Sequence, residues 1–119
     1  MQRLVNAFRN SLRAFGRLIR SEKAFQQEIF LLGAAVPVAW FLADSWRGFA
    51  LLICALLLLI IVEVLNTGIE AACDAFSREF NTDIQLAKDC GSLAVLISII
   101  IAGGVWLLAV AEKIAGASI

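Results

Sequence analysis

An apolar run at residues 51–62, LLICALLLLIIV, restricts the possible fold of this chain more than any other feature. It holds no charged residue and no proline or glycine that would break a helix. Apolar residues make up 61% of the 119 positions, more than ordinary soluble domains contain and more than one domain of this length can bury. The sequence therefore predicts a single all-α integral membrane domain, residues 1–119.

Three membrane spans are predicted, at residues 29–43, 48–62 and 90–111. Before them, residues 1–23 place apolar side chains on one helical face and arginines on the opposite face, a pattern typical of a helix lying in the membrane interface. This amphipathic surface helix can be a simple basic anchor, or an anchor that also lines a site for an anionic ligand. Its arginines are Arg3, Arg9, Arg13, Arg17 and Arg20.

Glu22 interrupts this pattern, because it falls at the edge of the apolar face. Either the helix turns near Ser21 or Glu22 faces a polar pocket. Positive charge is concentrated in residues 1–23, and Arg78 and Lys88 add to it between the second and third spans. The positive-inside rule then predicts a cytoplasmic N-terminus.

A polar stripe follows the apolar run directly, in the sequence EVLNTGIEAACD at residues 63–74. On a helix its members project within about 80° of one another and form a line about 20 Å long. A carboxylate inside a bilayer costs about 2.5–3.5 kcal/mol, so the stripe is expected to face the bundle interior or a wet cavity. Its residues are Glu63, Asn66, Glu70, Asp74 and Ser77.

The stripe has two interpretations. Its side chains can bond across helices and merely specify packing. Alternatively, one carboxylate acts as a base while another holds a hard cation such as Mg²⁺. Lys88 and Asp89 at the start of the third span are either an ordinary helix-start pair or the groups that a nucleotide polyphosphate needs. No P-loop and no GxGxxG motif is present, and the chain has no histidine to serve as base, ligand or phosphoryl acceptor.

Three segments carry a resemblance to a known family. They are IVEVLNTGIEAACD at 61–74, AKDCGSLAVLI at 87–97 and KAFQQE at 23–28. Together with the basic N-terminal helix and Trp106, they resemble the small integral-membrane diacylglycerol kinases of Gram-negative bacteria. The combination of ExxNxxxExxxD with AKD is specific to that family.

The resemblance implies a homotrimer of chains that each have one surface helix and three transmembrane helices. Active sites shared between subunits would lie at the cytoplasmic surface of the inner membrane. There the ATP γ-phosphate would be transferred to the hydroxyl of diacylglycerol, giving phosphatidic acid. Diacylglycerol, ATP and membrane lipids are the expected partners, and no nucleic acid is expected.

The resemblance also implies roles for individual residues. Glu63 resembles the catalytic base and Asn66 the residue that supports it, while Glu22 and Glu70 resemble the ligands of Mg²⁺. The residues expected to bind ATP are Arg3, Asn10, Glu22, Glu70, Glu79, Phe80, Asn81, Lys88 and Asp89. Those expected along the lipid groove are Arg3, Ala24, Phe25, Gln26, Gln27, Glu28, Glu63, Ser92 and Trp106.

Asn10 and the segment NTDIQL at 81–86 depart from the family pattern, and both fall where the nucleotide base is expected. Asn10 stands where an aromatic side chain is usual, and Asn81 where a histidine is usual, so base selectivity stays open. A polyisoprenol kinase acting on undecaprenol would use the same catalytic residues. A small membrane transporter and a non-catalytic assembly subunit are the alternatives from other classes.

Overall fold

The computed structural model describes residues 1–77, 79 and 81–116, and within them every regular element is a helix. The last three helices are each long and apolar enough to cross a membrane. This confirms the predicted all-α fold of one surface helix and three spans. Phe80, predicted to contact ATP, lies outside the described residues. The helices are α1 (Gln2–Ser21), α2 (Lys23–Leu42), α3 (Trp46–Phe76) and α4 (Thr82–Ile114).

Glu22 separates α1 from α2. Its backbone is extended, with φ −109° and ψ 109°. Helix α1 ends at Ser21, directly before it, and α2 begins at Lys23, directly after it. The predicted turn near Ser21 therefore occurs. The apolar face of α1 is left open for membrane lipid: Leu4, Phe8 and Leu12 are more than half exposed.

Side-chain caps set the starts of the two longer helices. Ser45 Oγ accepts a hydrogen bond from the Gly48 amide at 3.0 Å at the start of α3. Asn81 Oδ1 accepts from the amides of Asp83 at 2.8 Å and Ile84 at 3.2 Å. Because of this second cap, α4 begins at Thr82, so it includes residues 82–89 before the third predicted span.

Small residues allow α2, α3 and α4 to pack closely. Ala35 packs among Ala55, Leu56 and Ala102, and Ala39 is fully buried beside Leu52 and Ala109. Ala35 and Ala39 of the first predicted span thus lie in the core, and α2 continues through Pro37 without a break. The α3–α4 seam is also tied by Trp106, whose Nε1 donates to the Leu52 carbonyl at 3.0 Å.

Helix α1 is attached to the bundle through α2. The Phe15 and Phe25 rings meet edge to face, with centroids 5.5 Å apart, and Gln26 Nε2 donates to the Ile19 carbonyl at 2.9 Å. Among the described residues, α1 makes no direct backbone packing against α3. The two helices are therefore held apart, and a cleft opens between them.

The α2–α3 connection closes the opposite end of the bundle. Lys113 Nζ lies 3.5 Å from Asp44 Oδ1 and 5.0 Å from the centre of the Phe41 ring. Trp40, Trp46 and Phe49 pack edge to face nearby. Aromatic side chains of this kind favour the membrane–water interface.

Gly91 provides the closest approach of α4 to the polar stripe. A Cβ atom at this position would overlap Asn66 Oδ1. We expect Gly91→Ala to destabilise the protein by about 1–3 kcal/mol, because α4 must move away or Asn66 must leave its position. The measurement is the midpoint of thermal unfolding in detergent.

Gly33→Ala is the matched control, since a Cβ at Gly33 meets no atom within 4 Å. It removes a helical glycine without a clash and is expected to be neutral or to stabilise by up to about 1 kcal/mol. Equal midpoints for the two variants would contradict the close contact between Gly91 and Asn66.

Candidate active site

The polar stripe of α3 points into the molecule. Asn66 is buried, and Glu63, Glu70 and Asp74 are each half-buried. In contrast, Leu65 on another face of the same helix is 63% exposed. The helix thus turns its carboxylates away from the lipid side and its large apolar groups toward it, as the cost of burying charge in hydrocarbon requires.

A cleft of about 480 Å³ lies between α1 and this stripe. Glu22 and Glu70, the two residues expected to hold Mg²⁺, both line it, so both predicted alternatives for Glu22 hold. Side chains of both charge signs and several hydrogen-bonding groups share the cleft with them. The polar lining consists of Arg17, Ser21, Glu22, Thr67, Glu70 and Asp74.

Glu63 lies where the apolar run of α3 ends, directly before the first α3 residue that lines the cleft. The next residue, Val64, lines the cleft, and the Thr67 hydroxyl donates to the Glu63 carbonyl at 3.0 Å. The Glu63 carboxylate interacts electrostatically with Glu70 and Glu22. Because these groups carry the same charge, a cation in the cleft would relieve their repulsion.

The donors of the cleft suit a magnesium ion that also binds phosphate. Mg²⁺ is usually held by one or two carboxylates together with water and substrate phosphate oxygens. Glu22 and Glu70 supply two such carboxylates on facing walls. Within the described part of this single chain, no three acidic or cysteine side chains gather closely enough to hold a metal alone. The donor set therefore fits a metal that arrives with a phosphate ligand.

Lys88 reaches the cleft through an ion pair. Its Nζ lies 2.8 Å from Asp74 Oδ1, and both side chains are about 40% exposed. The pair joins α3 to the first turns of α4, where the Asn81 cap has started the helix early. The structure thus brings the predicted phosphate-binding lysine to the carboxylate row, as a nucleotide site at this position requires.

Two buried polar atoms lie close to this row. Asn66 Oδ1 faces Gly91. Glu28 Oε1 is a buried atom of a side chain on α2, and the Glu28 carboxyl interacts electrostatically with Glu63. Neither atom has a hydrogen-bond partner among the described residues. A buried acceptor without a donor costs about 1–3 kcal/mol, so both atoms suit contact with a group that a single chain lacks.

Other predicted ATP-binding residues do not line the cleft in one chain. Asn10 accepts from Arg13 at 2.8 Å, and the Glu79 amide donates to Ser77 Oγ at 3.1 Å. Asn81 caps α4, which gives this asparagine a structural role that does not depend on a nucleotide. The remaining two, Arg3 and Asp89, are exposed.

The predicted lipid-binding residues do not share one surface in the single chain. Phe25 and Gln26 hold α1 on α2, whereas Ala24, Gln27 and Ser92 are exposed. Trp106 lines a second cavity of about 340 Å³ on the side of the bundle, whose lining is almost wholly apolar. This groove contains Leu31, Ala35, Leu56, Leu59, Ile99, Ala102, Gly103 and Trp106.

Sequence reasoning allowed the arginines of α1 as a group to line a site for an anionic ligand. It gave no individual ligand role to four of the polar cleft residues: Arg17, Ser21, Thr67 and Asp74. Asp74 was predicted to lie on the polar stripe, but no ligand-binding role was predicted for it. Arg17 and Ser21 are one helical turn apart and lead to Glu22, a spacing that could have pointed to a shared wall. No sequence signal distinguished Arg17 from the other arginines of α1.

The chain is similar to known proteins over most of its length. Residues 9–110 match the family described as prokaryotic diacylglycerol kinase. The diacylglycerol kinase of Pseudomonas aeruginosa is 40% identical over 107 residues, which cover 89% of this chain and 86% of that protein. The diacylglycerol kinase of Haemophilus influenzae is 33% identical over 103 residues, covering 87% of each, and that of Escherichia coli is 42% identical over 89 residues, covering 74% and 72%. The chain belongs to the prokaryotic diacylglycerol kinase family.

Proposed function

We propose that this protein transfers the γ-phosphoryl group of ATP to the free hydroxyl of diacylglycerol, with phosphatidic acid and ADP as products. The observation that carries the proposal is the half-buried carboxylate row of α3. Two of its members, Glu70 and Asp74, line one cleft with Glu22, and Asp74 also pairs with Lys88. The row begins where the apolar run of α3 ends. A membrane alcohol and a water-soluble nucleotide can therefore meet there.

Glu63 is the proposed general base. Its carboxylate accepts the proton of the lipid hydroxyl while that oxygen forms a bond to the γ-phosphorus. The bond from the γ-phosphorus to the bridging oxygen breaks, and ADP leaves. Catalysis of this kind consists mainly of positioning and charge neutralisation. Asn66, buried one helical turn along α3, is proposed to support Glu63.

Glu22 and Glu70 are proposed to hold Mg²⁺ against the phosphates. The metal supplies charge neutralisation on the phosphate oxygens when it is bound. Lys88 is proposed to bind the same phosphates. To do so, its ammonium group would leave Asp74 and contact a phosphate oxygen instead. The carboxylates keep the polyphosphate and its metal at the rim of the membrane, and Glu63 meets the hydroxyl at greater depth.

The lipid is proposed to enter sideways from the bilayer. The apolar groove that contains Trp106 suits acyl chains, and the exposed apolar face of α1 suits the interface. With six of the ten Lys and Arg residues in residues 1–23, the positive-inside rule favours a cytoplasmic α1 in the inner membrane. Placed in this way, the cleft opens to the side of the membrane that contains ATP.

A homotrimer with shared active sites is proposed for the working enzyme. Several residues that are predicted to bind the nucleotide lie outside the cleft of one chain. In addition, the buried acceptor atoms of Asn66 and Glu28 have no hydrogen-bond donor among the described residues. A neighbouring chain can supply the missing groups to both. Light scattering in detergent is expected to give a protein mass about three times the 12.9 kDa of one chain. A monomer that retains full activity would contradict the shared site.

The activity test uses purified protein in mixed micelles with Mg·ATP and a panel of membrane alcohols. We expect phosphatidic acid from diacylglycerol and little product from undecaprenol. Preference for undecaprenol would redirect the proposal to a polyisoprenol kinase. Product that forms from neither alcohol would overturn the proposal of a lipid kinase.

Glu63→Gln is expected to lower the turnover of diacylglycerol by about 10²–10⁴-fold, because the amide cannot accept the hydroxyl proton. Glu112→Gln provides the control, since Glu112 is a half-buried carboxylate at the other end of α4. Its turnover is expected to match the wild type. Circular dichroism and elution volume check that both variants fold. Unchanged turnover in Glu63→Gln would show that another group removes the proton.

Glu70→Gln tests the metal role separately. We expect a higher KM for Mg·ATP and a lower kcat, with little change in the KM for diacylglycerol, because the lost ligand acts on the nucleotide side of the reaction. Raising the Mg²⁺ concentration should recover part of the activity. A change confined to the lipid KM would remove Glu70 from the metal site.

A further inference from the structure

The α1 wall of the cleft carries a cation to which the proposed mechanism gives no task. Arg17 lines the cleft together with Ser21 and Glu22, and Glu70 and Asp74 line it on the α3 side. Despite these carboxylates, the Arg17 guanidinium forms no ion pair within the described part of the chain. A free cation that lies among acidic side chains without pairing to them is available to an anion that enters the cleft.

The position of Arg17 is held by the packing of α1. The neighbouring positions Phe15 and Ile19 both contact α2, by a ring contact and a backbone carbonyl respectively. Ser21 Oγ also donates to the Arg17 carbonyl at 2.7 Å. The backbone of Arg17 is therefore anchored on both sides, while its side chain is exposed in the cleft.

The other arginines of α1 do not share this setting. None of the four lines the cleft, and Arg13 donates to Asn10 at 2.8 Å. Their side chains suit the head groups of anionic lipids, the ordinary task of a basic helix in the membrane interface. Arg17 differs from them because it faces the metal ligands proposed above.

We propose that Arg17 is a phosphate-binding residue of this enzyme, which contacts the triphosphate of the nucleotide from the α1 side of the cleft. The inference rests on the proposed function, since it requires ATP in this cleft. Arginine presents a planar fork of donors that matches two phosphate oxygens at once. Lys88, which is joined to Asp74 on the α3 side, then provides the second cation, so that positive charge meets the phosphates from both walls.

The kinetic test compares Arg17→Gln with Arg13→Gln, which removes the same charge from the same helix outside the cleft. We expect Arg17→Gln to raise the KM for Mg·ATP about tenfold, the loss typical of one charge-assisted hydrogen bond, with the KM for diacylglycerol unchanged. Arg17→Lys keeps the charge without the fork and is expected to fall between wild type and Arg17→Gln. Arg13→Gln is expected to keep the wild-type KM for Mg·ATP.

A binding measurement separates this proposal from the proposed function. Isothermal titration with Mg²⁺ and a non-hydrolysable ATP analogue, in detergent without diacylglycerol, is expected to show about tenfold weaker binding for Arg17→Gln alone. If nucleotide binding depends on Arg17 but no phosphatidic acid forms, the proposed lipid kinase activity is wrong and the proposed phosphate-binding role of Arg17 is retained. Equal nucleotide affinity in wild type and Arg17→Gln would overturn the role of Arg17.

Binding to lipid tests the remaining explanation. The gain in turnover when phosphatidylglycerol is added to the mixed micelles is expected to respond equally to Arg13→Gln and Arg17→Gln. If Arg17→Gln lowers only this gain and leaves the nucleotide affinity intact, Arg17 belongs to the basic face of an anchor helix, and the proposal is wrong.

Discussion

The cost of placing ionised carboxylates next to hydrocarbon governs this structure. Glu63, Glu70 and Asp74 follow an apolar run without a helix break, so α3 can satisfy both parts only by rotating its polar stripe inward. The rest of the bundle accommodates that requirement. Helix α4 approaches the stripe at Gly91, and α1 leaves a cleft beside it.

The cleft exists because α1 is attached at a distance from α3. Its contacts run to α2, through the Phe15–Phe25 ring pair and the bond from Gln26 to the Ile19 carbonyl. Phe25 and Gln26 therefore support the site indirectly, because they hold α1 in position. A surface helix that was free in the interface would not keep Glu22 opposite Glu70. Attachment of this helix is thus part of the construction of the site.

Much of the architecture could be predicted from the residues. Hydropathy indicated three spans, and the period of the N-terminal arginines indicated a surface helix. The position of Glu22 indicated either a turn near Ser21 or a polar pocket. The helical turns of α4 that precede the third predicted span were not indicated, because the cap that Asn81 forms depends on side-chain geometry and has no hydropathy signal. The family followed from the ExxNxxxExxxD and AKD motifs, and the matching of residues 9–110 agrees with it.

The sequence by itself determined the membrane fold, the inward row of carboxylates and the family. All three depend on the order of residues along a helix, and helical geometry converts that order directly into faces. Only the tertiary structure decided that Lys88 pairs with Asp74, that Asn66 rests against Gly91, and that Arg17 alone among the arginines of α1 enters the cleft. These contacts depend on how far apart the helices stand and how they are rotated, which packing between distant residues sets and no local pattern encodes.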